Sequence, residues 1–387
     1  MTTMRTWIGG FLAVMVVALG LAGCGASPEE GTQSVLARVA KPPPVVPAVD
    51  GARDVVDGGD LDAGTSPADA TVPTTSPPGG VATPQPAPPG PTTTAPRTST
   101  TAAPVQAPAP EPVRVAPPRP VPAGAGVYAG LGTWIDVYDW SRTFGGNGAL
   151  VEVADIDRMA EFGVQTLYVQ TSRWNVAEDI LEPERLEPLI ERARDHDMGV
   201  VAWYLPTFVD PAEDLRRLVA AASLDVDAVA VDIESRDLAD TAERNRRLVE
   251  LSRSLRAALP GVALGAIVFP PVVMEVINTS FWPDFPWEAM APFYDVWVPM
   301  AYQSFRKADS GYRDGARYTA ENIDRLRAQV GAGAVVHTVG GIADETTAND
   351  VDGMVAAAAE RGAIGGSLYD WRTTAPGLWP NLRAFRR

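Results

Sequence analysis

The sequence predicts a (β/α)8 barrel, an α/β fold, over residues 127–387. Three observations lead there. Beyond residue 126 a strand–loop–helix unit repeats eight times over about 260 residues, matching such a barrel in count and size. The stretch Asp227-Ala-Val-Ala-Val-Asp-Ile-Glu-Ser235 alternates branched residues with Ala, Asp and Glu, which is the period of a strand. No Gly-x-Gly-x-x-Gly turn follows the first strand, as a doubly wound dinucleotide-binding sheet requires.

The strands are short runs rich in branched and aromatic residues, expected at 132–138, 166–171, 199–205, 228–234, 263–269, 296–302, 335–339 and 366–371. Helical patterns separate them, at 156–162, 183–196, 212–222, 242–259, 288–293, 320–330 and 348–361, with a last one at 378–386. In the fourth strand Val229, Val231 and Ile233 share one face, and Asp232 and Glu234 share the other. If the branched face meets the surrounding helices, both acids point inward at the C-terminal mouth, where barrels of this type work. Two acids confined together repel, so one pKa should rise, as a general acid requires. The fifth connection, 270–294, is long and carries Phe281-Trp-Pro-Asp-Phe-Pro-Trp287. Those rings suit either a stacking wall for a ligand or a cluster that packs the loop onto the barrel.

Ahead of the barrel the composition changes twice. Residues 1–23 read as an export signal: Arg5, an apolar run at 11–19, then Leu21-Ala-Gly-Cys24. That run is shorter than the ~20 residues of a membrane-spanning helix. Residues 24–126 are dominated by Pro, Ala, Thr, Val and Gly with no apolar period, which predicts a disordered tether with polyproline character. Its Thr-rich runs could also carry O-linked sugars. The full chain of 387 residues has a formal charge of -16, one cysteine, and only His196 and His337 as histidines. One cysteine permits neither a disulfide framework nor a cysteine zinc site, and two histidines make no histidine-rich metal site. The acidic balance argues against nucleic acid or anionic lipid as partner and favours a neutral or weakly charged ligand. A monomer without cofactor or metal is expected.

Reading the strand ends in order gives the residues that converge on the mouth. The first strand supplies Asp136 and Asp139-Trp140, and the second Gln170, Ser172, Arg173 and Trp174. The third gives Trp203 and Tyr204, the fourth Asp232 and Glu234, and the sixth Tyr302 and Gln303. Tyr369, Asp370 and Trp371 close the eighth. Carboxylates, amides and aromatic rings suit a polyhydroxylated ligand, and cleaving a glycosidic bond typically takes two carboxyl groups, one of them protonated. A Ser-His-Asp hydrolase fits poorly, since no Gly-x-Ser-x-Gly elbow occurs.

Two family resemblances attach to these residues. Asp227-x-x-Ala230-x-Asp232-x-Glu234 resembles the fourth-strand signature of family 18 glycoside hydrolases, the chitinase-like barrels, and Met300-Ala-Tyr-Gln303 resembles their sixth-strand motif. The resemblance implies Glu234 as acid, Asp232 and Tyr302 steering an acetamido group, and Trp371 as the floor under the sugar. Ala230 and Gln303 depart from it, each standing where the family has an acid. Gly132-x-x-Ile-Asp136-Val-Tyr-Asp-Trp140 resembles instead the opening strand of family 25 lysozyme-like barrels, which implies that Asp136 joins Asp232 and Glu234 on peptidoglycan. Both implications share Glu234 and an N-acetylated glycan. A glycan-binding barrel without catalysis is the competing class, which the two departures favour and the retained acid pair disfavours. Leu21-Ala-Gly-Cys24 resembles the bacterial lipoprotein signal, which implies a lipidated Cys24 anchoring the chain to the outer face of the cell membrane.

Overall fold

The computed structural model describes residues 124–387. The export signal, Cys24 and nearly all of the tether lie outside the described residues. Eight parallel strands close into a barrel in chain order, with β8 returning to β1. They are β1 (Gly130–Ile135), β2 (Thr166–Gln170), β3 (Gly199–Tyr204), β4 (Ala228–Ile233), β5 (Ala263–Val268), β6 (Val296–Ala301), β7 (His337–Gly341) and β8 (Gly365–Tyr369). The helices between them are α1 (Val137–Trp140), α2 (Val153–Phe162), α3 (Pro183–Asp195), α4 (Pro211–Ala221), α5 (Thr241–Ala258), α6 (Trp287–Met290), α7 (Gly315–Val330), α8 (Ala348–Glu360) and α9 (Trp379–Leu382). None of the described helices is long and apolar enough to cross a membrane.

Alternation sets the two layers. Val229, Val231 and Ile233 are fully buried in one cluster with Leu248, Leu251 and Leu255 of α5. Inside the barrel, Tyr168 stacks on Trp134 at 4.0 Å between ring centroids, and the Trp134 indole N–H donates to Ser367 Oγ at 2.8 Å. His337 bridges the Tyr128 carbonyl oxygen and Ser367 Oγ at 2.7 and 2.9 Å. Its burial holds the imidazole down to about 4, so it is a neutral core group. Tyr128 plugs the N-terminal end, its hydroxyl donating to the Val229 carbonyl at 2.9 Å. It needs a glycine opposite, because a Cβ on Gly265 would meet its oxygen at 2.7 Å.

Four sequence expectations change. The first strand stops at Ile135 rather than 138, because Asp136 caps a helix: its Oδ1 accepts from the N–H groups of Tyr138 and Asp139 at 2.7 and 3.2 Å, and Asp139 returns the bond to the Asp136 N–H. The seventh strand lies two residues later than expected, and its glycines Gly340 and Gly341 carry the close approach to Met354 and Tyr369. The last helix is a single turn flanked by 3-10 turns, with Pro380 near its start. Ala125, assigned to the tether, is fully buried in a 3-10 turn, so the packed domain begins slightly earlier than 127.

Candidate active site

Asp232 lies in the last alternation of β4, and Glu234 follows its final residue, Ile233. Asp232 and Glu234 are 6% and 5% exposed. Among the described residues no oppositely charged partner offsets their burial. It pushes Glu234 up to about 7, and it raises Asp232 well above the carboxylate range with the Glu234 charge adding to the effect. Asp232 Oδ1 is buried with no hydrogen-bond partner among the described residues. Near neutrality the pair therefore holds a proton it can deliver.

Aromatic rings surround this pair. Tyr302, just past β6, is buried, and the charges of Glu234, Asp232 and Asp370 add to burial in keeping its hydroxyl protonated. Tyr369 stands 6.2 Å from Tyr302 and 6.3 Å from Trp134, ring to ring. Trp203 meets Trp134 edge-on at 6.1 Å, and its indole nitrogen is buried without an acceptor among the described residues. The mouth is thus floored by Trp134, Trp203, Tyr302 and Tyr369. Sequence reasoning missed Trp134, although it shares inward parity with Asp136 on the first strand.

A second acid group lies across Tyr369. The Tyr369 hydroxyl donates to Asp136 Oδ2 at 2.6 Å. One carboxylate oxygen from each of Asp136, Asp139 and Asp370 falls within 4.8 Å of the others, the one such group among the described residues. Burial, then the Asp136 and Asp370 charges, push Asp139 up to about 9. Arg372 approaches Asp139 at 3.6 Å, and Thr373 donates to Asp370 through its N–H and its hydroxyl. These donors, with the backbone bonds of the helix cap, occupy both oxygens of Asp136 and Asp139 and one of Asp370. The group is internally satisfied as it stands.

Other candidates are placed elsewhere. Trp371 packs among Phe162 and Trp379 at 6.1 and 5.4 Å in the outer layer, so Tyr369 and not Trp371 is the aromatic beside Tyr302. Strand parity alone would give Trp371, two positions on, the inward face of Tyr369, but the strand ends at Tyr369 and the chain leaves the barrel there. Gln303 is 1% exposed and turned toward β7, within 3.4 Å of Thr346 Oγ1 and 3.5 Å of the Gly341 N–H, so its amide is structural. The rings of the fifth connection do not form an open wall. Phe281, Trp282, Phe285 and Trp287 are all buried, with the Trp282 N–H on Asn245 at 2.6 Å and Arg244 over its face at 4.2 Å. Trp174 is 40% exposed on the segment after β2, the one tryptophan so exposed among the described residues.

No family model and no curated protein matches the sequence. Among solved structures the barrel is similar to a family GH18 chitinase from Cycas revoluta in complex with allosamidin. The match has 12% identity and a TM-score of 0.50, over 66% of this chain and 99% of the chitinase. The same chitinase in complex with (GlcNAc)3 matches equally. The spore cortex-lytic enzyme SleL of Bacillus cereus matches at 10% identity and a TM-score of 0.49, over 67% of this chain and 74% of SleL. At such identity the likeness is one of architecture: the chain is a closed (β/α)8 barrel that resembles the family 18 chitinase barrel in fold.

Proposed function

We propose that the protein is a glycoside hydrolase acting on an N-acetylated glycan, with Glu234 as general acid. The observation that carries this reading is the buried, unpaired Asp232–Glu234 carboxyl pair at the mouth, with Glu234 raised to about 7. A carboxyl of that pKa is half protonated at neutral pH, the condition under which an acid donates most effectively to a leaving oxygen. Asp232, whose Oδ1 lacks a partner, is suited to accept from a substrate amide, and Tyr302 to donate from its retained hydroxyl proton. Trp134, Trp203 and Tyr369 offer faces for sugar rings, and Trp174 extends the platform to the rim. Likeness to the Cycas chitinase, crystallised with (GlcNAc)3, supports the choice of N-acetylated glycan.

Export and anchoring complete the proposal: residues 1–23 direct secretion, lipidated Cys24 holds the chain at the outer face of the membrane, and residues 24–126 tether the barrel. Metabolic labelling with a fatty acid, lost in Cys24→Ala, tests this part. For the chemistry, the test is turnover of chitin oligomers and of peptidoglycan by wild type and Glu234→Gln. Loss of turnover in the variant with binding retained supports the hydrolase and identifies the preferred glycan. Binding without turnover in the wild type, unaltered in Glu234→Gln, leaves a glycan-binding barrel instead, the reading that the alanine at position 230 favours.

A further inference from the structure

Three side-chain amides among the described residues are more than nine-tenths buried, and two of them use both ends of the carboxamide within the fold. Asn322 donates to the Tyr318 carbonyl at 2.9 Å and accepts from the Val272 N–H at 2.9 Å. Gln303 donates to Thr346 Oγ1 at 3.4 Å and accepts from the Gly341 N–H at 3.5 Å. Gln170, 5% exposed, is different. Its Oε1 accepts from the Val137 N–H at 3.1 Å, which fixes the orientation of the amide, because a backbone N–H needs an acceptor. The NH2 end has no acceptor among the described residues, yet it is not sealed from solvent. A donor held this way recovers its desolvation when a bound oxygen meets it.

The fold puts this donor at the mouth. Gln170 is the last residue of β2 and shares inward parity with Tyr168, whose ring stacks on Trp134. Val137, which it holds, opens α1 directly after Asp136, the residue bonded to Tyr369. Register pairs Gln170 with Trp203 on β3, whose ring meets Trp134 edge-on and whose indole N–H also lacks an acceptor among the described residues. In the closed barrel β2 stands four strands from β6, so this donor edge faces Tyr302 across the mouth.

We propose that Gln170 is a specificity-determining residue whose NH2 donates to an oxygen of the bound sugar on the β2 side of the mouth. That oxygen is an acetamido carbonyl or a ring hydroxyl, both of which accept from an amide N–H. Because the Val137 N–H fixes the other end of the carboxamide, the donor is preorganised and selects sugars by where their oxygens lie. The inference rests on the glycan reading of the mouth, but its test reads affinity and does not require turnover.

The test is calorimetric titration of the full chain carrying Glu234→Gln, which leaves the ligand intact, with trimers of N-acetylglucosamine and of glucose. Two further substitutions separate the donor from its support. Gln170→Leu deletes both ends of the amide at similar volume. Gln170→Glu keeps an acceptor for the Val137 N–H throughout and offers a proton to the ligand only in acid. Each is compared with the parent at pH 8 and at pH 5. One lost neutral hydrogen bond predicts that Gln170→Leu weakens binding of the N-acetylglucosamine trimer about three- to tenfold at both pH values. Gln170→Glu should show that loss at pH 8 and recover toward the parent at pH 5. A loss confined to this trimer marks the acetamido carbonyl, and an equal loss on the glucose trimer marks a hydroxyl. Parent affinity in Gln170→Glu at both pH values, beside a loss in Gln170→Leu, would reduce Gln170 to a support for Val137 and overturn the proposal. So would parent affinity in Gln170→Leu, or no binding of the N-acetylglucosamine trimer by the parent. A failed hydrolase reading leaves these affinities in place and shows instead as absent turnover in the wild type.

Discussion

Replacing Glu234 by Gln should make the protein more stable as pH rises, and the size of the gain follows from burial. In the unfolded chain Glu234 loses its proton near its ordinary 4.5, whereas in the folded barrel burial delays this to about 7. Between those values the native state holds a proton that the unfolded chain has released. Stability therefore falls with rising pH through this window, and the loss is complete above about 7. At about 1.4 kcal/mol per pH unit, carrying Glu234 costs the wild type about 3 kcal/mol at pH 8 relative to pH 4. Gln is isosteric and never ionises. Any fixed cost of burying its amide is the same at both pH values and cancels in the comparison. The Glu234 charge also contributes to raising Asp232, so its removal acts in the same direction. The assay is urea unfolding of wild type and Glu234→Gln across pH 4 to 8, taking the difference between the two proteins at each pH. The variant should gain about 3 kcal/mol across that range, a rise of roughly 5–10 °C in relative Tm for a domain of this size. A difference that is flat with pH, or that favours the wild type at pH 8, would show that Glu234 is solvated or paired and would refute the argument for a poised acid.

Two further outcomes follow from the same structure. Trp282→Ala should cost about 3–5 kcal/mol in stability, since Trp282 is a buried packing residue; isothermal titration should find glycan affinity unchanged, and a selective loss of affinity at intact stability would restore the stacking-wall reading. His337 is held at about 4, below the unfolded value near 6.5, so the unfolded chain takes up the extra proton and stability is lost as pH falls from about 6.5 to 4. Thermal scans of His337→Gln over that range should be flatter than wild type by about 3 kcal/mol, and parallel curves would place the imidazole in solvent.

Much of this architecture is local in origin, and the sequence therefore determined it. The eight repeats, the inward parity of Asp232 and Glu234 and the outward parity of Val229, Val231 and Ile233 are all consequences of side-chain period along single strands. That is why the barrel and its acid pair are legible in the sequence. What only the tertiary structure decided is what meets across the barrel. Position after a strand did not reveal that the chain turns outward beyond Tyr369, which sends Trp371 to the helices and leaves Tyr369 bonded to Asp136, a residue 233 positions away in the chain. Nor did composition show that the aromatic run at 281–287 is more valuable as core than as surface, with Trp282 enclosed by Phe208, Asn245 and Arg244. Periodicity is written along the chain; desolvation and partnership depend on segments that are distant in sequence, and only packing brings them together.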